Sequence, residues 1–168
     1  MDSGCWRGSG ALHETERMTM PRWERYIGVP MLKLHDKIYR GTKGRIGHHV
    51  PGGPASLILH TTGAKTGLAR SNSLAYTRDG ESYLVVASKG GAPQSPGWYH
   101  NLVANPAVEI NVGPHRFPVT ARAVKASDPD YARLWQVANE MPHNTNRYNV
   151  YQSRTTRPIP LVVLAPTS

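Results

Sequence analysis

From Pro54 onward, apolar and polar positions alternate with the two-residue period of half-buried strands, and turn residues fall where the alternation stops. Ala55 to Thr62 (ASLILHTT) reads as a buried strand, GAKTG turns it, Arg70 to Thr77 returns, and Asp79-Gly80 makes a tight hairpin into Ser82 to Ser88 (SYLVVAS). A short helix is expected over Gly97 to Ala104, with Ser95 as N-cap and Pro96 as its first residue, stopped by Asn105-Pro106. Val108 to Val112 and Phe117 to Val124 form two more strands about Gly113-Pro114. Ser127 and Asp130 have capping-box spacing ahead of a helix over Tyr131 to Met141, and Ile159 to Leu164 is the last strand. The expectation is a mainly β, α+β domain of six antiparallel strands with two or three short helices, closed into a small barrel because closure removes exposed sheet edges.

Ahead of this domain (residues 55 to 168) the pattern changes twice. Residues 1 to 19 have no period and few apolar positions, and read as a disordered lead. Residues 20 to 54 hold an amphipathic helical segment, with Trp23, Ile27, Met31, Leu34 and Ile38 opposite Lys33, Lys37 and Arg40 and broken at Pro30, followed by a Gly-rich loop. The segment is expected to pack on the domain; the other reading is a basic face making peripheral contact with an anionic membrane. His48 and His49 are adjacent and would point apart if extended, so they do not share a metal ion, and no metal site is expected.

The chain has 168 residues, 20 Lys and Arg against 11 Asp and Glu, and a formal net charge of +9. Such an excess favours an anionic partner. The charge is spread along the chain and no recognition helix, zinc finger or aromatic RNA-binding strand is present, so nucleic acid is not the expected partner. A single cysteine, Cys5, gives no disulfide framework, and no apolar run approaches the ~20 residues that span a bilayer, so a cytoplasmic protein is expected.

Two places concentrate groups that bind anions. After the strand ending at Ala87 and Ser88, Lys89 supplies charge, Gly90 and Gly91 free backbone amides to turn outward, and the helix N-terminus follows. In the first hairpin, Thr61, Thr62, Gly63, Lys65, Thr66 and Arg70 crowd one turn, without the GxxxxGK[ST] spacing of a nucleotide-triphosphate loop. Because both neighbouring strands enter one sheet, the two places are expected to face a single ligand. No Ser-His-Asp or paired-carboxylate arrangement is present, and His60 and His100 read as structural.

HTTGAKTGLARSN, RDGESYLVVASKGGAPQSPGWYHNLVANP and YQSRTTRPIPLVVL together resemble the deazaflavin-dependent nitroreductase family, similar in architecture to the FMN-binding split β-barrels. The resemblance covers about Ala55 to Pro166. It implies a split β-barrel that binds reduced coenzyme F420, an 8-hydroxy-5-deazaflavin with a phosphate and an acidic oligoglutamate tail; FMN is the alternative cofactor. By position, Lys65 and Arg70 match the family's tail and phosphate contacts, and Thr62, Gly63 and Thr66 of the same turn are expected to bind the cofactor with them. Ala87, Ser88, Lys89, Gly90 and Gly91 match the loop beside the deazaflavin, and Trp98 and Asn101 match its helix.

The resemblance further implies hydride transfer to a small electron-poor acceptor: a quinone, a nitroaromatic, or an activated alkene such as an enone or unsaturated lactone. Ser88, Tyr148 and Tyr151 match acceptor-facing positions, and Ala75 stands where nitroimidazole-reducing relatives carry a tyrosine, which opens the pocket on that side. The alternative is a non-catalytic carrier of F420 or FMN. No exposed apolar stripe compels pairing, and a monomer is expected.

Overall fold

The computed structural model describes residues 54–141 and 146–167. The expectations for residues 1 to 19 and for most of 20 to 54, His48 and His49 included, lie outside them. Strands β1 (Ser56–Thr62), β2 (Ala69–Ala75), β3 (Thr77–Asp79), β4 (Ser82–Val86), β5 (Ala107–Val112), β6 (His115–Val124) and β7 (Leu161–Pro166) form one antiparallel sheet in the order β2-β1-β5-β6-β7-β4-β3. Helices α1 (Gly97–Ala104), α2 (Tyr131–Asn139) and α3 (Arg147–Gln152) pack on it.

Seven strands stand where six were expected because the second predicted strand breaks at Tyr76. Its first part pairs with β1, from Thr62↔Ala69 to Ser56↔Ala75, and its second with β4, from Thr77↔Leu84 to Asp79↔Ser82. At the break the Tyr76 amide turns to the Ala55 carbonyl, 3.1 Å away, and its ring meets Tyr83 edge-on at 5.3 Å. The two outermost strands of the sheet are therefore successive stretches of one run, the seven-residue β2 at one edge and the three-residue β3 at the other.

Alternation along the strands sorts the apolar residues into two cores. Leu57, Leu59, Val85, Val108, Ile110, Val119, Ala121, Val162 and Leu164 share one cluster although their strands are not all neighbours, so the sheet curls around them. Trp98, Tyr99 and Leu102 of α1 complete that cluster. The intervening residues Leu84, Val86, Val124, Leu161 and Val163 face the other way, against Leu134 and Ala138 of α2 and Tyr148 of α3. Burying side chains of this size stabilises by about 1.5 to 3 kcal/mol each, so the inner cluster fixes α1 firmly to the sheet.

Three helix and strand starts differ from the sequence reading. Pro96, extended at ψ 151, occupies the cap position of α1, and Ser95 makes no capping bond there. Asp130 does not cap α2 either: its carboxylate pairs with Arg122 at 2.9 Å, while Asp128 accepts from the Lys125 amide. The final strand begins at Leu161 rather than Ile159, since Pro160 has no N–H to give the ladder and offers only its carbonyl, to the Ala87 amide at 2.9 Å. The α3 helix over Arg147–Gln152 was not foreseen as a separate element; it starts from Asn146 in the left-handed region, φ 62, with no side-chain cap.

Candidate functional site

The β1–β2 turn is held shut by its own backbone. The Gly63 amide donates to the Leu68 carbonyl and the Gly67 amide to the Gly63 carbonyl, both at 2.8 Å. Lys65, Thr66 and Arg70 project from this closed turn into solvent. Among the described residues Lys65, Arg70 and Lys89 form no ion pair. Three cations without counter-charges are an arrangement suited to an anionic ligand.

The loop after β4 is built differently. Lys89, Gly90 and Gly91 form a single tight turn with all three residues at positive φ (48, 67 and 84). Gly90 faces open space, whereas a Cβ on Gly91 would collide with the Tyr151 carbonyl and the Arg154 side chain. Gly91 must therefore be glycine for two reasons, its backbone angle and the approach of α3. Ser88 is buried, and its carbonyl accepts from the Gly91 amide at 3.0 Å.

Asn101 joins the two places. Its Oδ1 accepts from the Ala64 amide at 3.0 Å, and its Nδ2 donates to Thr61 Oγ1 at 3.1 Å. The helix that follows the Lys89–Gly91 turn is thus clasped to the turn that carries Thr62, Lys65 and Arg70. The first turn of α1 is partly open: Gly97 is exposed with nothing within contact of its missing Cβ. Trp98 is 7% exposed and belongs to the inner core, where it anchors α1.

Tyr148 and Tyr151 lie on α3 with ring centroids 6.2 Å apart. Tyr148 is 6% exposed and packs within the second core, whereas Tyr151 and Ala75 sit partly buried at that core's margin. Three of the four residues expected at the acceptor thereby belong to one cluster; the fourth, Ser88, is not among its residues, though three positions on, Gly91 lies against the Tyr151 carbonyl. Burial raises the phenols of Tyr76, Tyr99 and Tyr131 above their ordinary range, so all three remain protonated donors near neutrality.

One residue of this region carries no local sequence signal. Arg157, between α3 and β7, reaches back to the loop after β4: its Nε donates to the Ala92 carbonyl at 2.9 Å, and its Nη2 to those of Ala87 and Ser88 at 3.2 and 2.9 Å. Its Nη1 is buried with no partner, and desolvation pulls the guanidinium below its usual pKa. Behind it, Gln152 donates to the carbonyls of Thr155 and Arg157 and accepts from the Ile159 amide. Arg154, placed over the Tyr151 ring, likewise carries no local sequence signal.

A cleft of about 820 Å³ opens elsewhere, on the outer face of β1, β2, β5 and β6. Thr62 and Arg70 line its end, but its polar floor is spent internally: His60 bonds Ser71 at 2.9 Å and Asn111 at 2.6 Å, and Glu109 pairs with Arg116. Among the described residues Lys65, Lys89 and Arg70, the last also lining the cleft, carry no counter-charge, so the charge suited to an acidic ligand lies on the β1–β2 turn and the loop after β4 rather than on the cleft floor. His60 is tied to the neighbouring strands through both ring nitrogens, and among the described residues no cluster of potential metal ligands occurs.

A family model described as F420H(2)-dependent quinone reductase matches residues 31–166. The chain belongs to this family. It is an oxidoreductase, and its cofactor is reduced coenzyme F420. An F420H(2)-dependent quinone reductase of Mycobacterium tuberculosis is 68% identical over 148 residues, 88% of this chain and 98% of the relative. A solved F420H2-dependent reductase is 35% identical with a TM-score of 0.57, covering 65% of this chain and 92% of that one. A second solved structure, described as a domain-swapped dimer, is 33% identical with a TM-score of 0.59, covering 80% of this chain and 98% of the other. The expectation of a monomer finds no support in that comparison. The residues present are chemically compatible with such a cofactor: among the described residues three exposed cations have no counter-charge, and two adjacent glycines precede an exposed helix start. No helix among the described residues is long and apolar enough to cross a membrane.

Proposed function

We propose that this family member reduces quinones, that nitroaromatics and activated alkenes are its further acceptors, and that its curled sheet is a split barrel with the cofactor lying across the end of α1. The observation that carries the reading is the Asn101 clasp, which ties the turn bearing Lys65 and Arg70 to the helix following Lys89–Gly91. Lys65 and Arg70 take the phosphate and acidic tail, assisted by the hydroxyls of Thr62 and Thr66. The Ala87–Gly91 loop and the exposed first turn of α1 take the ring system, with Trp98 fixing the helix from inside. Bound there, the reduced deazaflavin supplies a hydride.

The side chains then have two tasks, to align the acceptor and to exclude water. Ser88 and Tyr151 offer hydroxyls to an acceptor oxygen, and Tyr148 holds the Tyr151 ring from behind. Ala75 leaves the margin of the second core open, which suits a flat quinone. No general acid is required of the protein beyond these hydroxyls and solvent.

The test is a fluorescence titration with coenzyme F420 and FMN in parallel, followed by turnover of the reduced cofactor with menadione. Preference for F420 together with turnover supports the reading. Tight F420 binding without turnover of any acceptor class would replace it with a carrier function.

A further inference from the structure

We propose that Arg157 is a positioning residue for the cofactor, acting through the backbone of the Ala87–Ala92 loop; this rests on the reading that the loop holds the deazaflavin. Three carbonyls of that loop, those of Ala87, Ser88 and Ala92, point at one guanidinium. A trans peptide group whose carbonyl is turned inward presents its N–H on the opposite side, so the Ala87 and Ser88 contacts set which way the N–H groups of Ser88 and Lys89 face, while the Ala92 carbonyl, followed by Pro93 with no N–H, anchors the loop's far end. The backbone gains from such a hold: Lys89 sits at φ 48, which a side chain disfavours, and the two glycines after it accept their positive φ without being confined to it.

The strap carrying Arg157 is itself fixed. Gln152, the last residue of α3, spends its side-chain donors on the carbonyls of Thr155 and Arg157 and its acceptor on the Ile159 amide. One residue earlier, the Tyr151 carbonyl lies against Gly91. The cofactor loop and the helix bearing the acceptor tyrosines are thus one mechanical unit, joined by Arg157 on one side and by the Gly91 contact on the other. Among the described residues Nη1 is buried and unpaired, so the guanidinium is held here by its three carbonyl contacts and not by full satisfaction of its donors.

The experiment compares Arg157→Ala, Arg157→Lys, Arg157→Gln and Lys89→Ala in the full chain. Its readouts are the dissociation constant of oxidised F420, amide exchange over residues 88–92, and steady-state kinetics with menadione. Arg157→Ala is expected to weaken F420 binding about tenfold or more. It should also speed exchange at Gly91 and Ala92, whose amides bond to Ser88 and Lys89. KM for the reduced cofactor should rise while kcat at saturation stays within about threefold, a split that mere loss of folded enzyme would not give. Arg157→Lys, able to serve fewer carbonyls, should fall between, and added guanidinium should partly restore Arg157→Ala. If Arg157→Ala does not fold, Arg157→Lys and Arg157→Gln carry the same comparison. Unchanged F420 affinity in the Arg157 variants alongside weakened Lys89→Ala overturns the inference and keeps the loop as the cofactor's. Unchanged affinity in all of them overturns both.

Discussion

Asn101 and Ala64 are joined by a side-chain-to-backbone hydrogen bond of 3.0 Å across 37 residues, which makes one helix and one hairpin turn a single platform. Asn101→Ala removes this bond and the one to Thr61, and is expected to weaken F420 binding by about 1 to 2 kcal/mol. Asn101→Asp retains an acceptor for Ala64 but adds a negative charge beside Lys65. It should bind F420 less well than its preserved thermal stability implies. Titration and melting of both variants check this.

Lys65, Arg70 and Lys89 are expected to act on the cofactor's charge rather than on folding, because among the described residues none of them has a structural partner. Each substitution by Ala should cost about 1 to 2 kcal/mol of F420 affinity at low salt, and less FMN affinity. Wild-type affinity should fall as ionic strength rises, with a shallower slope in each variant. Isothermal titration at several salt concentrations measures it, and equal losses for both cofactors would point to unfolding instead.

Gly90 and Gly91 look alike in the sequence and differ in the structure. Gly90→Ala meets open space and suffers only its backbone angle, a loss of about 1 kcal/mol. Gly91→Ala suffers the same angle and a collision with the Tyr151 carbonyl, so it should destabilise distinctly more and displace α3. Chemical denaturation ranks the two.

Asp79 accepts from both terminal guanidinium nitrogens of Arg133, Nη1 and Nη2, at 2.7 and 3.0 Å, which holds its carboxyl below the ordinary range. A depressed folded pKa means the pair stabilises at and above the unfolded carboxyl value, and that this contribution is lost as pH falls through the folded value. Asp79→Asn should therefore melt below wild type at pH 7, with the gap closing toward pH 3. A gap independent of pH would assign the effect to the hairpin instead of the charge.

Most strands and α1 were legible in the sequence because alternation and Gly or Pro punctuation are local signals. Gly97–Ala104 was read with the bounds the structure gives, since Asn105-Pro106 stops it. The break at Tyr76 was not legible: alternation runs straight through it, and only pairing with two different partners reveals it. Nor was α3, whose six residues lack a cap and are held by Asn139 and Trp135, both bonded to Asn149. The two cationic places could be found by composition, but their joining by Asn101 could not. Arg157 was hidden because its partners lie 65 to 70 residues upstream and are carbonyls, which leave no trace in side-chain identity.

The position of β7, between β6 and β4, has a consequence for how the molecule comes into being. Every earlier contact between neighbouring strands spans a short hairpin or the reach from β1 to β5, and can form while synthesis continues. The β3–β4 hairpin, Thr77 to Val86, and the β6 side of the sheet already built from β2, β1, β5 and β6 stay unjoined until Leu161–Pro166 has left the ribosome. This final strand enters as a keystone, and a nascent chain stalled before it would present two bare strand margins to chaperones and to its own neighbours.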